Sequence, residues 1–251
     1  MVGNSASGID IGNQIEEVCK RPLFQSQRQQ SYLDNGQSSY KIIVTEIAQF
    51  MESDRAVLFS NGRIEKDVDA IVFCTGYFYS YPFLSKDLKL VSDGRRTQHV
   101  YQHIFQNAHP TLAFLALPQK IIPFPIAECQ AAVVARVWSD RLQLPNEEGM
   151  DQWEDSVIKR RGSDTRFHNL MFPLDADYMN ELYYWSLQVE AEGKGKIPPH
   201  WGEKERWMRE RFPAIKKAFA DRGADRHQVR SVEELGFNFE VWKAKDSPPA
   251  E

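Results

Sequence analysis

A glycine- and serine-rich stretch at residues 1–12 constrains the chain most, because it has the form of a phosphate-binding loop that opens directly into a helix. Gly3 can take the positive φ of a tight turn, and Gly8 lets a helix pack closely on a strand. The N–H groups at the start of that helix would face a pyrophosphate. The alternative is an ordinary glycine-containing turn. The stretch predicts a dinucleotide site formed by Gly3, Asn4, Ser5, Ala6, Ser7 and Gly8.

The elements beside the loop predict the middle of a βαβ unit. Apolar residues recur near helical spacing from Ser7 to about Lys20, and Leu23-Phe24 then forms a short strand. A complete unit needs a hydrophobic strand before the first glycine, and only Met1 and Val2 stand there. We therefore expect a Rossmann-like α/β domain that is incomplete at its N-terminus.

Ser26 and Arg28 follow this strand, where an NAD site would place an acidic residue on the ribose hydroxyls. A hydroxyl and a guanidinium suit a 2′-phosphate instead. They predict NADPH rather than NADH, and the alternative is that Arg28 is an ordinary solvated surface arginine.

The next segment predicts a small antiparallel excursion and then a buried strand. Residues 41–49 and 55–59 are rich in β-formers, and Ser60-Asn61-Gly62-Arg63 is a turn signal. Val68 to Cys74 is a continuous apolar run, as expected for a buried parallel strand, and it ends at Thr75, Gly76 and Tyr77. Ligands of open α/β sheets bind at such carboxyl ends.

The second half of the chain turns from strands to helices. Residues 98–105 and 111–117 predict a further strand pair, and residues 126–142 a helix whose buried face is mostly alanine and other small residues. After Pro145 the sequence predicts a charge-rich, aromatic-rich helical extension. We expect it to pack over the core, with a homodimer contact or the lining of substrate access as alternatives.

Composition excludes several classes of protein. The 251 residues carry a net charge of −4, which gives no pull toward nucleic acid. The three cysteines are widely spaced, so no disulfide framework or zinc knuckle is expected. No apolar run approaches the roughly 18–20 residues of a membrane span. These features favour a cytoplasmic protein.

The histidines predict no metal site. His99 and His103 are the only pair at metal-ligand spacing, four residues apart. In a β-rich stretch that spacing does not bring two side chains together, because four residues of extended strand span about 13 Å.

Several motifs together resemble the flavin-containing monooxygenase family over about residues 1–145. The loop at 2–11, the Ser26-x-Arg28 pair and the run Asp69 to Tyr77 match the NADPH-domain half of that family in order and spacing. So do the later stretches at 101–105, 110–118 and 123–131. Cys74 replaces the usual alanine of the family's F-A-T-G-Y element, where the chain crosses back to the FAD domain.

The resemblance implies a chemistry and a division into domains. It implies that NADPH reduces FAD, which reacts with O₂ to oxygenate a small nitrogen or sulfur nucleophile. It implies that residues 125–131 lie beside the flavin, so Glu128 and Gln130 become candidates for cofactor contact, against the alternative of ordinary helix surface residues. We expect a partial NADPH domain at 1–74, the C-terminal part of an FAD domain at 75–145 and the helical extension at 146–251.

The departures from the family leave other functions open. Residues 1–251 contain neither a G-x-G-x-x-G loop for the FAD pyrophosphate nor the family's F-x-G-x-x-x-H motif. We therefore expect a truncated monooxygenase. The alternatives are a non-catalytic NADP-binding remnant and a fragment of a Baeyer–Villiger monooxygenase; a plain NADPH-dependent dehydrogenase is disfavoured.

Overall fold

The chain divides into two compact units in the computed structural model, which describes residues 1–31, 33, 40–189 and 195–246. Unit 1 comprises Met1–Tyr77 and Pro213–Phe237. Unit 2 comprises Phe78–Phe212 and the residues from Asn238 onward.

Unit 1 combines a short parallel pair of strands with an antiparallel meander. Its elements are α1 (Ala6–Ile15), β1 (Leu23–Ser26), β2 (Lys41–Val44), β3 (Ile47–Met51), β4 (Ala56–Phe59), β5 (Ile64–Glu65) and α6, which begins at the unit boundary (Phe212–Ala220). Strand β1 pairs with β2 in parallel, and β3, β4 and β5 pair in antiparallel order. Its small core is formed by Val44, Val57 and Phe59.

Local signals placed most of these elements correctly. Helix α1 forms because Ile9 and Gly12 bury one face, and it ends at Ile15, earlier than the periodicity predicts. The turn at 60–63 joins β4 to β5 as expected, since Gly62 has a φ of +86°. One assignment was wrong: β2 does not belong to the antiparallel excursion, because Lys41–Val44 lies parallel beside Leu23–Ser26.

The prediction that Val68 to Cys74 forms a buried strand was also wrong. The run is extended and parallel to Val2 at its end, where the Val2 N–H donates to the Val72 carbonyl (2.9 Å) and the Cys74 N–H donates to the Val2 carbonyl (2.7 Å). Its Phe73 is nevertheless 60% exposed. Residues 68–72 and β1 do not pack as neighbouring strands, because a cavity of about 540 Å³ lies between them and both line it. The strand pairing that would bury residues 68–74 therefore does not form along the whole segment.

Unit 2 is mainly helical. Its elements are β6 (Val100–Tyr101), β7 (Phe105–Gln106), α2 (Pro123–Trp138), α3 (Glu147–Arg161), α4 (Leu174–Ser186), α5 (Glu203–Glu210) and α7 (Phe239–Asp246). Helices α2 and α4 pack on each other around a core that includes Ile104, Phe105, Ile126 and Met179. The helical C-terminal part predicted from the sequence is confirmed.

Two details of unit 2 differ from the prediction. The predicted strand pair does not form: residues 98–105 contain a hairpin turn between the short strands β6 and β7, and residues 111–117 form no strand, since only Ala113 makes an isolated bridge, to Phe105. The buried face of α2 carries Ile126, Cys129 and Val133, whereas Ala131 and Ala135 are exposed. Larger side chains therefore fill this interface. All three cysteines are free thiols. In the described ranges, no helix is long and apolar enough to cross a membrane.

Candidate functional site

The loop from Gly3 to Gly8 is built by two close backbone approaches. Gly3 has a φ of +97°, and a Cβ there would lie 2.3 Å from the Cys74 carbonyl oxygen. A Cβ on Gly8 would lie 2.0 Å from the Gly3 carbonyl oxygen. Both positions therefore require glycine, because a methyl group would overlap backbone atoms that cannot swing away.

The N-terminus of α1 presents donors rather than charges to its surroundings. Ser5 is the N-cap residue, and its side chain makes no capping hydrogen bond. The first turn contains no acidic residue, and the first helical bond runs from the Ile9 N–H to the Ser5 carbonyl (3.0 Å). Early N–H groups of a helix lack intrahelical acceptors and carry the positive end of its dipole, so this end suits an anion.

Amide side chains within β1 and just after it hold the loop in place. Asn4 Nδ2 donates to Gln27 Oε1 and to the Gln29 carbonyl, both at 2.7 Å. Gln25 Nε2 donates to the Gly3 carbonyl, and Gln25 is almost fully buried. The motif did not reveal Gln25 and Gln27. Their position at the end of a strand that neighbours a glycine loop is the signal that could have found them.

The structure places Ser26 and Arg28 in different environments. Ser26 is buried, and its hydroxyl donates to the Thr45 carbonyl (2.9 Å). The Arg28 side chain is 85% exposed, and its Nε donates to Glu46 Oε1 (2.6 Å). The Arg28 guanidinium is thus accessible to solvent, whereas the Ser26 hydroxyl is already hydrogen-bonded to the Thr45 carbonyl. Their role at a 2′-phosphate stays a prediction.

The Thr75-Gly76-Tyr77 segment directly follows Cys74, whose carbonyl oxygen lies against Gly3 of the glycine loop. The Cβ position of Gly3 is 3.4 Å from the Thr75 nitrogen, so the glycine loop and this segment are adjacent. Gly76 has a φ of +88° with open space around it, and Tyr77 is 96% exposed. The structure brings residues 3–8 and 74–75 together, and the contact of residues 75–77 with a cofactor stays a prediction.

Comparison with known proteins identifies the family. The model of the family described as "FMO-like: Flavin-binding monooxygenase-like" matches residues 19–192. This chain belongs to that family.

Relatives and solved structures agree with the family assignment. A relative named flavin-containing monooxygenase FMO GS-OX-like 7, from Arabidopsis thaliana, is 31% identical over 71% of this chain and 39% of its own length. The thiol-specific monooxygenase of Saccharomyces cerevisiae is 33% identical over 57% of this chain and 35% of its own length. The structure of S-allyl-L-cysteine S-oxygenase from Allium sativum covers 98% of this chain and 53% of its own, with 25% identity and a TM-score of 0.70.

These comparisons fix the fold and the cofactors of the family. The fold is that of FAD- and NADPH-binding flavin monooxygenases, and members of the family use FAD and NADPH. This chain spans less than half the length of the two curated relatives above. Residues 3–8 lie before the residues that the family model matches, whereas the solved garlic structure spans nearly the whole chain.

Glu128 and Gln130, which the family resemblance places near the flavin, lie on α2 in unit 2. Glu128 forms an ion pair with Lys196 on the surface. Gln130 is fully buried; its Oε1 accepts from the Ala116 N–H (2.7 Å) and its Nε2 donates to the Tyr178 hydroxyl (2.9 Å). Burial raises the pKa of Tyr178 well above its usual value, so the hydroxyl stays protonated and donates to the Gln102 carbonyl (2.6 Å). The amide of Gln130 thus joins the core of unit 2, and cofactor contact stays a prediction for both residues.

Sequence reasoning missed a buried pair of histidines beside this network. His103 Nδ1 lies 2.9 Å from His168 Nδ1, and both rings are buried. Burial lowers the pKa of His168 from 6.5 to about 4, and it lowers the pKa of His103 as well. Both imidazoles are therefore neutral at pH 7. No sequence spacing signals the pair, because 65 residues separate its members.

Proposed function

We propose that this chain is the NADPH-binding and flavin-facing portion of a flavin-dependent monooxygenase. Its substrates are O₂ and a small molecule with a nucleophilic sulfur or nitrogen. Residues 1–74 form the part that binds NADPH, residues 75–145 belong to the FAD domain, and residues 146–251 form the helical extension. The protein acts in the cytoplasm, does not bind nucleic acid, and the extension is a candidate for homodimer contact.

The geometry of the glycine loop carries this proposal. The loop brings the N-terminus of α1 close to Cys74 with no side chain between them, because Gly3 and Gly8 have no room for a Cβ. The first turn contains no carboxylate that would repel a phosphate. These features fit a pyrophosphate, which Gly3, Asn4, Ser5, Ala6, Ser7 and Gly8 would hold through N–H and hydroxyl donors.

The residues of this chain contribute binding and orientation rather than proton transfer. When FAD is bound, it supplies the activation of O₂ with electrons from NADPH. The loop fixes the pyrophosphate, Arg28 binds the 2′-phosphate, and Asn4 keeps the loop attached to the segment after β1. Similarity to an S-allyl-L-cysteine S-oxygenase and to a thiol-specific monooxygenase favours sulfur as the atom that is oxygenated.

A charge placed at the helix start tests the loop. Ser7 is exposed in the first turn of α1, so Ser7→Asp should leave folding intact, since the helix dipole favours a carboxylate there. The same carboxylate should repel phosphate and weaken NADP⁺ binding by at least about tenfold, or about 1.4 kcal/mol. The measurement is calorimetric titration of the purified chain with NADP⁺. Ser7→Asn is the matched neutral comparison; it keeps the backbone N–H and a polar donor and should lose less NADP⁺ affinity than Ser7→Asp.

Three results would decide between the functions. Flavin absorbance in the purified chain, with NADPH oxidation that depends on a simple thioether, would support the monooxygenase and contradict the expected truncation. NADPH oxidation that depends on a cyclic ketone would favour the Baeyer–Villiger type, and tight NADP⁺ binding without flavin or turnover would favour a non-catalytic binding module. Equal NADP⁺ affinities of the Ser7→Asp and Ser7→Asn variants would remove the loop from the site.

A further inference from the structure

The cavity of about 540 Å³ in unit 1 lies between two segments of chain, β1 and residues 68–72. Met1 and Val2 line it as well. Val2 forms parallel bridges to Ser26 at the end of β1 and to Phe73 just beyond the other segment. These two residues therefore already lie between the two walls as the end of a strand, and the cavity continues the line of that strand toward the starts of both walls.

The hydrogen bonds of Met1 and Val2 are those of a strand in a parallel sheet. On the β1 side, the Met1 amine donates to the Phe24 carbonyl (2.8 Å), and the Ser26 N–H donates to the Met1 carbonyl (2.9 Å). On the other side, the Val2 N–H donates to the Val72 carbonyl (2.9 Å). The Met1 nitrogen thus occupies the position of a strand amide, so these bonds fix the register of any residue joined to it.

Both walls present open backbone groups to the cavity. The N–H groups of Leu23 and Gln27 donate to the β2 side, and the backbone groups of a strand alternate between its two edges. The Phe24 N–H therefore faces the cavity. On the other wall, no N–H group from Asp69 to Val72 donates to a backbone group of the residues that the structure describes. Two open sheet edges that line one space match a single strand, because that strand can pair with both.

The lining of the cavity favours an apolar occupant. Apolar side chains of α1, β3 and β4 contribute to it: Ile15, Ile47, Val57 and Phe59. A parallel strand that other elements cover is apolar at consecutive positions. Charged residues line the cavity only beside the starts of its two walls, at 20–21, 65–67 and 69. The apolar part of the cavity therefore lies next to Met1, and the polar part lies where a parallel strand would begin.

We propose that this cavity holds one apolar strand of about five residues that runs parallel to β1 and is joined to the chain at the Met1 nitrogen. Five residues at about 3.3 Å each match the wall at residues 68–72. In the register that Val2 sets, the residue joined to Met1 accepts from the Val72 N–H and donates to the Ala70 carbonyl. The residue before it accepts from the Phe24 N–H.

Such a strand joins β2, β1 and residues 68–74 into one parallel sheet. It supplies the neighbour that the apolar run at 68–74 lacks along most of its length, and so accounts for the buried-strand composition of that run. All of the groups involved belong to unit 1.

Extension of the whole chain at Met1 tests the proposal. The added sequence Lys-Val-Ile-Val-Val should raise the thermal midpoint by at least about 5 °C, because it buries apolar side chains and pairs two open edges. Lys-Thr-Thr-Thr-Thr is the matched control, since threonine resembles valine in shape and in β-propensity but carries a hydroxyl that opposes burial. It should leave the midpoint close to that of the parent. Hydrogen exchange of the Phe24 and Val72 amides should slow by at least about tenfold with the apolar extension alone.

A proline at position 72 separates strand pairing from apolar contact. The Val72 N–H has no backbone partner in the described ranges, so Val72→Pro should change the unextended chain little. In the extended chain, the same substitution removes a hydrogen bond to the added strand. The gain in thermal midpoint from the apolar extension should therefore be smaller in Val72→Pro than in the parent.

Three outcomes would overturn the proposal. Equal midpoints of the apolar and threonine extensions would show that the cavity does not select an apolar strand. A gain that rises with protein concentration would assign the added strand to pairing between copies of the chain. An equal gain with and without Val72→Pro would place the extension outside the two edges. All of these measurements report stability, so their outcome is independent of whether the chain binds NADP⁺.

Discussion

The glycine loop of unit 1 and the polar core of unit 2 use polar groups in opposite ways. In the loop, the donors at the start of α1 are exposed, and the Ser5 side chain makes no cap. The core of unit 2 contains four buried polar side chains, and each makes at least one hydrogen bond within the protein. They are Gln130, Tyr178, His103 and His168. Donors left open at a surface cost little and remain available to a ligand, whereas buried donors must be paired.

This difference separates stability from binding. Substitutions in the polar core of unit 2 should change the free energy of unfolding, because they leave buried partners unpaired. Substitutions on the rim of the loop should change ligand affinity and leave stability nearly constant.

Loss of the buried cation at Arg209 should have the largest effect. Arg209 Nε lies 2.5 Å from Oδ2 of the fully buried Asp175, and its Nη2 donates to the Lys120 carbonyl (3.0 Å). Burial raises the pKa of Asp175, and the hydrogen bond and charge of Arg209 oppose that rise. Arg209→Met should therefore lower the free energy of unfolding by about 3–5 kcal/mol, measured by denaturant titration.

The neighbouring pair on the same two helices provides the control. Arg206 Nη2 lies 2.6 Å from Asp177 Oδ1, and both side chains are partly exposed. Arg206→Met should lower the free energy of unfolding by at most about 1 kcal/mol. Adding Asp175→Asn to Arg209→Met should restore part of the loss, because no buried charge then remains. Equal effects of the two arginine substitutions would show that burial does not set the energy of these pairs.

Acid should destabilise the chain through the buried histidines. The pKa of His168 is near 6.5 when unfolded and about 4 when folded, so below pH 6.5 the unfolded state binds more protons. The stability is fully present above pH 6.5 and is lost as the pH falls toward 4, by about 3 kcal/mol for this group. The measurement is the free energy of unfolding at several pH values between 7 and 4.

A substitution isolates the contribution of His168. The decline between pH 6.5 and 4 should be smaller in His168→Gln than in the parent, whatever the absolute stability of the variant. His109→Gln serves as the control, because it removes an imidazole at an exposed position outside the pair. Parallel curves for His168→Gln and the parent would contradict the neutral, buried histidine pair.

Sequence reasoning succeeded where a few neighbouring residues determine the structure. The α1 helix follows from its own apolar spacing, and the β4–β5 turn follows from Gly62 at a positive φ. The glycine loop was predicted because Gly3 and Gly8 act through their own lack of a Cβ. The helix and the turn are decided within a few neighbouring residues, whereas the close approach of Cys74 to Gly3 also depends on a distant segment.

It failed where a distant partner decides the outcome. The apolar run at 68–74 has the composition of a buried strand, but burial depends on a neighbour along its whole length, and Val2 pairs only with its end. The parallel pairing of β2 with β1 and the His103–His168 contact depend on which segments meet. Periodicity carries no information about such partners.

Arg28→Gln should have the smallest effect on stability and a large effect on cofactor choice. The side chain is 85% exposed and pairs only at the surface with Glu46, so the free energy of unfolding should change by no more than about 0.5 kcal/mol. A glutamine cannot offer a charged donor to a 2′-phosphate, so calorimetry should show NADP⁺ affinity at least about tenfold lower, while NAD⁺ affinity stays constant. Arg55→Gln removes another exposed arginine of unit 1, which pairs with Asp67 and Asp69, and should leave both affinities unchanged. Losses of NADP⁺ affinity in both variants would point to the general charge of unit 1. A loss confined to Arg28→Gln would assign the discrimination between NADP⁺ and NAD⁺ to one exposed side chain that contributes almost nothing to the free energy of unfolding.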